Sequence, residues 1–388
     1  MNPRQKRQSL CYTIEGLNSF GTVLYFTYIY FLLHDKFGFT DKANLAVAAL
    51  LGLCYALSSW QAGRLAQRWG YFTALKLGFV IMAGGLLAGA LLGSAAGQIT
   101  AAVVVTLGIC FTWPVLEALI SEGETPDRVP HAVGIYNITW AATNAGALFI
   151  GGTLIEKLGY QSIYWLPLAI IGIQLALTFW LEQIRLPAVE KNSAPVPDAN
   201  RPSPARAKNF LHLAWLANPF AYIGINTLIA VLPGVAAKFH LTPMFAGFAC
   251  SLWCFVRLAT FVVLWRWDGW HYRFRWLVTA FALLVVSFAA ILIVPSLAAV
   301  LAAQVFFGAA IGLIYYSSLF YSMDASDTKS EHGGIHEAAI GAGNCLGPAV
   351  GAVSLQFLPH AANAGAIAVS GLLLCGFGGL LLIRKAGR

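Results

Sequence analysis

Apolar stretches long enough to cross a lipid bilayer as helices follow one another along this chain, and they constrain its fold more than any other feature. They lie at roughly 11–33, 42–66, 72–93, 98–121, 131–155, 161–182, 210–236, 243–265, 275–294, 297–322, 332–356 and 361–383. Of the 388 residues, 59% are hydrophobic and only 10% charged, a balance foreign to soluble globular domains. The least marked breaks separate the third span from the fourth and the ninth from the tenth. The basic start MNPRQKRQ leads into an apolar run of full spanning length. It reads as a first transmembrane helix, since a cleaved signal peptide has a shorter apolar core.

One long segment interrupts the pattern. Residues 183–209 are polar and carry Pro187, Pro195, Pro197, Pro202 and Pro204, which forbid a continuous helix. The expectation is a linker between two units of six spans, 1–182 and 210–388. An internal repeat supports the division. GIYNITWAATNAGALFIGG (134–152) aligns with the second-half stretch that starts at Gly334: Gly134 with Gly334, Ile135 with Ile335, Ala142 with Ala342, Asn144 with Asn344 and Gly151 with Gly351. Asn137 stands where Glu337 stands. Lys36-Phe37-Gly38-Phe39-Thr40 answers to Lys238-Phe239-His240-Leu241-Thr242 at nearly the same spacing. Duplicated halves of this kind are a common plan in transporters.

The net charge of +8 is explained by where the basic residues fall. With the N-terminus inside, nineteen of the 24 Lys and Arg lie on the inner side, and Lys36, Lys42, Lys157 and Lys238 lie outside. Arg257 alone lies within a span. The bias puts both termini in the cytoplasm and makes a nucleic-acid partner unnecessary. The seven cysteines (11, 54, 110, 250, 254, 345, 375) sit in or beside apolar segments without paired spacing, so neither disulfides nor a zinc site is indicated.

Two halves of six helices, inside termini and a central linker resemble the major facilitator superfamily. The loop Gly63-Arg64-Leu65-Ala66-Gln67-Arg68-Trp69-Gly70-Tyr71 is similar to that family's loop between helices 2 and 3, matching at Gly63, Arg68 and Gly70. Gln67 replaces the acid that helps latch the family's cytoplasmic side, and Trp267-Asp268-Gly269-Trp270 is a more degenerate counterpart. The glycine pattern that the family's exporters carry in helix 5 is reduced here to Gly134, Gly151 and Gly152. It is nearly whole in helix 11, at Gly334, Gly343, Gly347, Pro348 and Gly351. The resemblance implies an all-α membrane protein of twelve transmembrane helices in two pseudo-symmetric six-helix bundles. It also implies a secondary transporter with no cofactor.

Helix 11 carries the sharpest functional signal. At 100° per residue Glu337, Gly341, Asn344 and Pro348 share one face, and Gly343, Gly347 and Gly351 form a smooth ridge beside it. Firm charges within spans are few: Glu15, Glu117, Arg257 and Glu337. Idle charge inside a membrane is costly, so each is a functional candidate. Asn18, Ser19 and Thr22 lie on the side of Glu15, while Asn218, Tyr222 and Asn226 share a face of helix 7. Candidates for substrate or proton coupling are therefore Glu337, Glu117, Glu15, Arg257, His336, Asn18, Asn137, Asn144, Asn226 and Asn344. The bland alternative is that Glu15, Glu117 and His336–Glu337 are hydrogen-bonded gate residues closing the cytoplasmic side. Arg257 suits contact with an anionic substrate, and equally a pair with Glu337 or Glu117. His332 and His336 are one turn apart, but no further ligand is evident, and no metal centre is expected. Trp113, Trp140, Trp165, Trp253, Tyr315 and Tyr316 suit a planar or hydrophobic solute, though such residues more often anchor or pack. Asn137-Ile138-Thr139 spells a glycosylation triplet but lies in a span.

The expectation is a monomeric secondary transporter in the plasma (inner) membrane. It moves a small organic solute with proton coupling, export being slightly favoured over uptake by symport or uncoupled facilitation. A membrane-embedded enzyme would need a nucleophile–base constellation that is not evident, and a sensor would transport nothing.

Overall fold

The computed structural model describes residues 3–122, 124, 128–184, 203–324, 329–361 and 363–386, with the side chains of 323–336 and 386 outside that description. In lipid every backbone polar group must be satisfied within its own segment, so apolar runs of this length become helices. Twelve result: α1 (Pro3–Phe37), α2 (Asp41–Trp69), α3 (Tyr71–Leu91), α4 (Ala95–Ser121), α5 (Val129–Leu158), α6 (Ser162–Glu182), α7 (Pro204–Ala230), α8 (Pro243–Arg266), α9 (Phe274–Ile293), α10 (Leu297–Asp324), α11 (Lys329–Phe357) and α12 (Ala364–Ala386). The chain is a multi-pass integral membrane protein. Two spans are broken. α4 turns at Cys110–Thr112 and restarts at Trp113, with Pro114 in its new first turn, where a missing N–H forfeits no bond. α8 breaks at Ser251. Pro167, Pro219 and Pro348 lie inside α6, α7 and α11, which continue past them.

Several helix ends differ from the expected ones. α1 starts at Pro3 rather than at 11, because its polar first turns find partners beyond the apolar zone. Arg7 pairs with Glu122, and the Lys6 ammonium lies 4.6 Å from the Trp180 ring centre. α7 starts at Pro204, inside the expected linker, and is followed by a short helix, Leu232–Lys238. The unclear break between the third and fourth spans is a capped turn. Ser94 accepts from Gly97 N (3.1 Å), and Gln98 Nε2 donates to the Gly89 carbonyl at the end of α3 (2.9 Å).

Within the first half α1 packs on α5 and α6, and α3 on α4 and α6; within the second, α7 packs on α10, α11 and α12, and α9 on α10 and α12. The halves meet through α2 on α11, the most extensive helix pair of the molecule, and through α5 on α8. These pairs exchange under the internal twofold, as the repeat requires.

The α11 ridge divides between neighbours. A Cβ added at Gly347 would lie 2.6 Å from the Ile223 carbonyl oxygen, and Gly343 faces Pro219 and Tyr222, so both glycines bring α11 onto α7. Gly351 is looser, 3.1 Å from Leu45 of α2 and 3.6 Å from Val369 of α12. Gly341, assigned by pattern to the polar face, is instead a close-approach residue, its Cβ position 2.6 Å from the Ala56 Cα of α2. Gly347→Leu is expected to lower stability by about 1–3 kcal/mol, since backbone cannot yield as a side chain can. Leu382→Ala, at a position 69% exposed, should fall within about 0.5 kcal/mol of the parent. Thermal unfolding in detergent reads both, and equal melting of Gly347→Leu and the parent would exclude the ridge from packing.

The loop between α2 and α3 is less of a latch than its motif implies. Gly70 has φ +89° and makes the turn. Gly63 has no neighbour within 4 Å of a Cβ position, and Arg68 is exposed, with no ion pair among the described residues. Gly334 is part of α11.

Candidate functional site

Between the two interfaces, four helices of each half (α1, α2, α4, α5 and α7, α8, α10, α11) enclose a cavity of about 220 Å³. All four charges that the sequence buries in spans converge on it: Glu15, Glu117, Arg257 and Glu337. Asn144 and Asn344, matched positions of the repeat, both line it, as does Asn226.

The carboxylates have different surroundings. Glu15 is 1% exposed; Ser19 Oγ donates to its Oε1 at 2.6 Å, and its Oε2 is buried without a partner, beside Tyr136 and Trp113. Glu337 accepts on Oε2 from the Tyr55 hydroxyl, a hydrogen bond from α2 to α11 that crosses between the halves. Glu117 is half-buried, and its side chain makes no hydrogen bond among the described residues. The three lie within electrostatic reach of one another.

Of the two readings of Arg257, the structure shows no pairing with an acid among the described residues. The residue is 5% exposed, and its Nε is buried without a partner. Tryptophan faces hold it instead, with the guanidinium carbon 4.5 Å from the Trp140 ring centre and 5.0 Å from that of Trp253. Trp140 is in turn fixed by Asn137, whose Oδ1 accepts from the indole N–H at 2.8 Å. Asn137 therefore does not stand in the cavity as Glu337 does. It positions the ring that receives Arg257.

Asn18 also lies elsewhere. Its Nδ2 donates to Thr112 Oγ1 at the α4 break (3.2 Å), and it borders a small void with Gln174. On a helix Ser19 and Thr22 fall about 40° and 20° to either side of Glu15, whereas Asn18 falls about 60° away and leaves the cavity face. Of the α7 trio, Tyr222 and Asn226 reach the cavity and Asn218 does not. Asn226 Nδ2 donates to Asn344 Oδ1, joining α7 to α11. His332 and His336 lie outside the described side chains. Trp165 is 49% exposed, away from the cavity, and Tyr316 packs near Trp270.

Sequence reasoning passed over Tyr30, Tyr55 and Tyr136, which line the cavity. Of the three only Tyr55 carried a signal by position, well inside its span, whereas Tyr30 and Tyr136 lie near span ends, where aromatic anchors collect. The site thus combines groups that can carry a proton, a fixed cation, amides and an aromatic wall.

A family model described as Major Facilitator Superfamily matches residues 9–352. The chain superposes on the human organic anion transporter MFSD10 (TETRAN) with TM-score 0.70 and 15% identity, over 98% of this chain and 100% of that one. It superposes equally on a bacterial homolog of the human lysosomal transporter Spinster, inward-facing and unoccupied, with TM-score 0.70, 13% identity and coverage of 100% and 96%. At such identities these likenesses concern the fold. No curated protein sequence matches the chain.

Proposed function

This chain belongs to the Major Facilitator Superfamily, a family of secondary transporters, and on that premise we propose that its cavity is the transport site of a proton-coupled carrier for a small organic solute. The observation that carries the proposal is the convergence of Glu15, Glu117 and Glu337 with Arg257 on one cavity between the halves. Three carboxylates cannot all hold their charge cheaply beside a single cation in a low dielectric, so the cavity is suited to taking up a proton. Rocking of the halves about the α2–α11 and α5–α8 contacts would open it to each side in turn. Each polypeptide encloses a whole cavity, consistent with a monomer. The distribution of Lys and Arg favours cytoplasmic termini and the plasma membrane.

The exporter-type glycines of α11 favour export. Uptake by symport is the second reading, and the unpaired Arg257 favours it, because an anion held there requires nearby carboxylates to be neutral. Proteoliposomes loaded with a pH-sensitive dye test the proposal against neutral, anionic and cationic solutes. Solute entry that acidifies the lumen marks symport, and solute entry that alkalinises it marks exchange. Labelled solute that enters without any pH response refutes coupling.

A further inference from the structure

We infer that the solute of this cavity is a small aromatic monocarboxylate, its carboxylate held by Arg257 and its ring against Trp140, Trp253, Tyr222 and Tyr315. The inference rests on the cavity being the transport site. Arg257 is the starting point, because a guanidinium keeps its charge and its burial without an anion is costly. The nearby acids do not relieve that cost. Glu15 is engaged by Ser19, Glu337 by Tyr55, and none forms an ion pair with Arg257 among the described residues. The tryptophan faces offset part of it, but a cation–π contact engages the charge and none of the N–H donors. A planar carboxylate fits those donors through two parallel hydrogen bonds.

The carboxylates of the cavity do not argue for a cationic solute with equal force. A glutamate can shed its charge by taking a proton, whereas an arginine has no such escape. They do bound the charge from the other side, because a dianion would place two negative charges beside one cation and three acids. The solute's body is set by the wall next to Arg257. Trp140 meets Tyr315 edge-on at 5.2 Å between ring centres, and Tyr222 lies 6.3 Å from Tyr315. Such a wall takes a flat apolar ring by offset or edge contacts.

The test is binding to the purified full-length protein in detergent, followed by thermal shift and by quenching of tryptophan fluorescence. Benzoate, benzamide, benzylamine and phenyl phosphate form a series that holds the ring and varies the charge. Benzoate should bind about tenfold or more tighter than the other three. Arg257→Gln should erase that preference, and Arg257→Lys should weaken benzoate while keeping it ahead of benzylamine. Equal or tighter binding of benzamide, benzylamine or phenyl phosphate overturns the inference, and so does absence of benzoate binding. Undiminished benzoate affinity in folded Arg257→Gln does the same. Proton movement driven by a non-anionic solute would leave the transport reading standing while sinking this one. Benzoate binding without any transport would do the reverse.

Discussion

Glu337→Gln is expected to leave solute exchange nearly intact and to abolish accumulation against a gradient. With one coupled proton, a pH difference of one unit supports about tenfold accumulation, since one unit corresponds to about 1.36 kcal/mol. The variant should equilibrate near a ratio of one. Glu337 is preferred over Glu15 and Glu117 because its hydrogen bond to Tyr55 spans the two halves. Its proton state would thereby follow whether α2 and α11 are in contact. Exchange and accumulation in the same proteoliposomes provide the measurement. Accumulation that survives with unchanged pH dependence would move the role to Glu117, then to Glu15.

The second large effect belongs to the α2–α11 contact itself. A Cβ at Gly52 would lie 2.5 Å from the backbone nitrogen of Cys345, and the Gly341 position meets Ala56 from the opposite direction. Backbone stands on both sides, so Gly52→Leu should disfavour the closed contact by about 3 kcal/mol, a population change of more than about a hundredfold. Transport should be lost while the folded protein persists. Lys42 and Gln356, joined at 3.0 Å across the same two helices, report the contact when both are replaced by cysteine. Cross-linking of that pair should be rapid in the parent and slow with Gly52→Leu. Equal rates would show that the glycine does not set the spacing.

Much of the fold was legible because lipid leaves helices little competition. The twelve spans follow from hydropathy, and the repeat marks Asn144 and Asn344, both of which line the cavity. Helix ends were not legible where polar residues prolong a helix past the apolar zone, as Arg7 does through Glu122. The charges of the cavity were legible because they are conspicuous in an apolar span. Their pairing was not. Whether Arg257 meets an acid or two indoles depends on the rotation of α8 against α5, which hydropathy does not encode. Asn18 and Asn137 show the same limit, being polar, buried and engaged outside the cavity.

The two halves are alike in path but differ at one pair of matching turns. Between α2 and α3 the chain turns on Gly70, an exposed residue without a side chain. The matching turn between α8 and α9 is clamped. Tyr272 sits at φ +51°, its N–H donates to the Tyr321 hydroxyl (2.9 Å) and its carbonyl accepts from Arg206 (2.9 Å), while Trp270 is buried against Phe320 and Tyr321. That knot ties the start of α7 and the end of α10 to the turn. Under alternating access the second half would carry this turn tied to two of its helices, while the first half turns on a glycine whose neighbour Trp69 stacks on Phe111. Duplication supplied two copies of one turn, and the aromatic residues of the second copy fasten it to its neighbours.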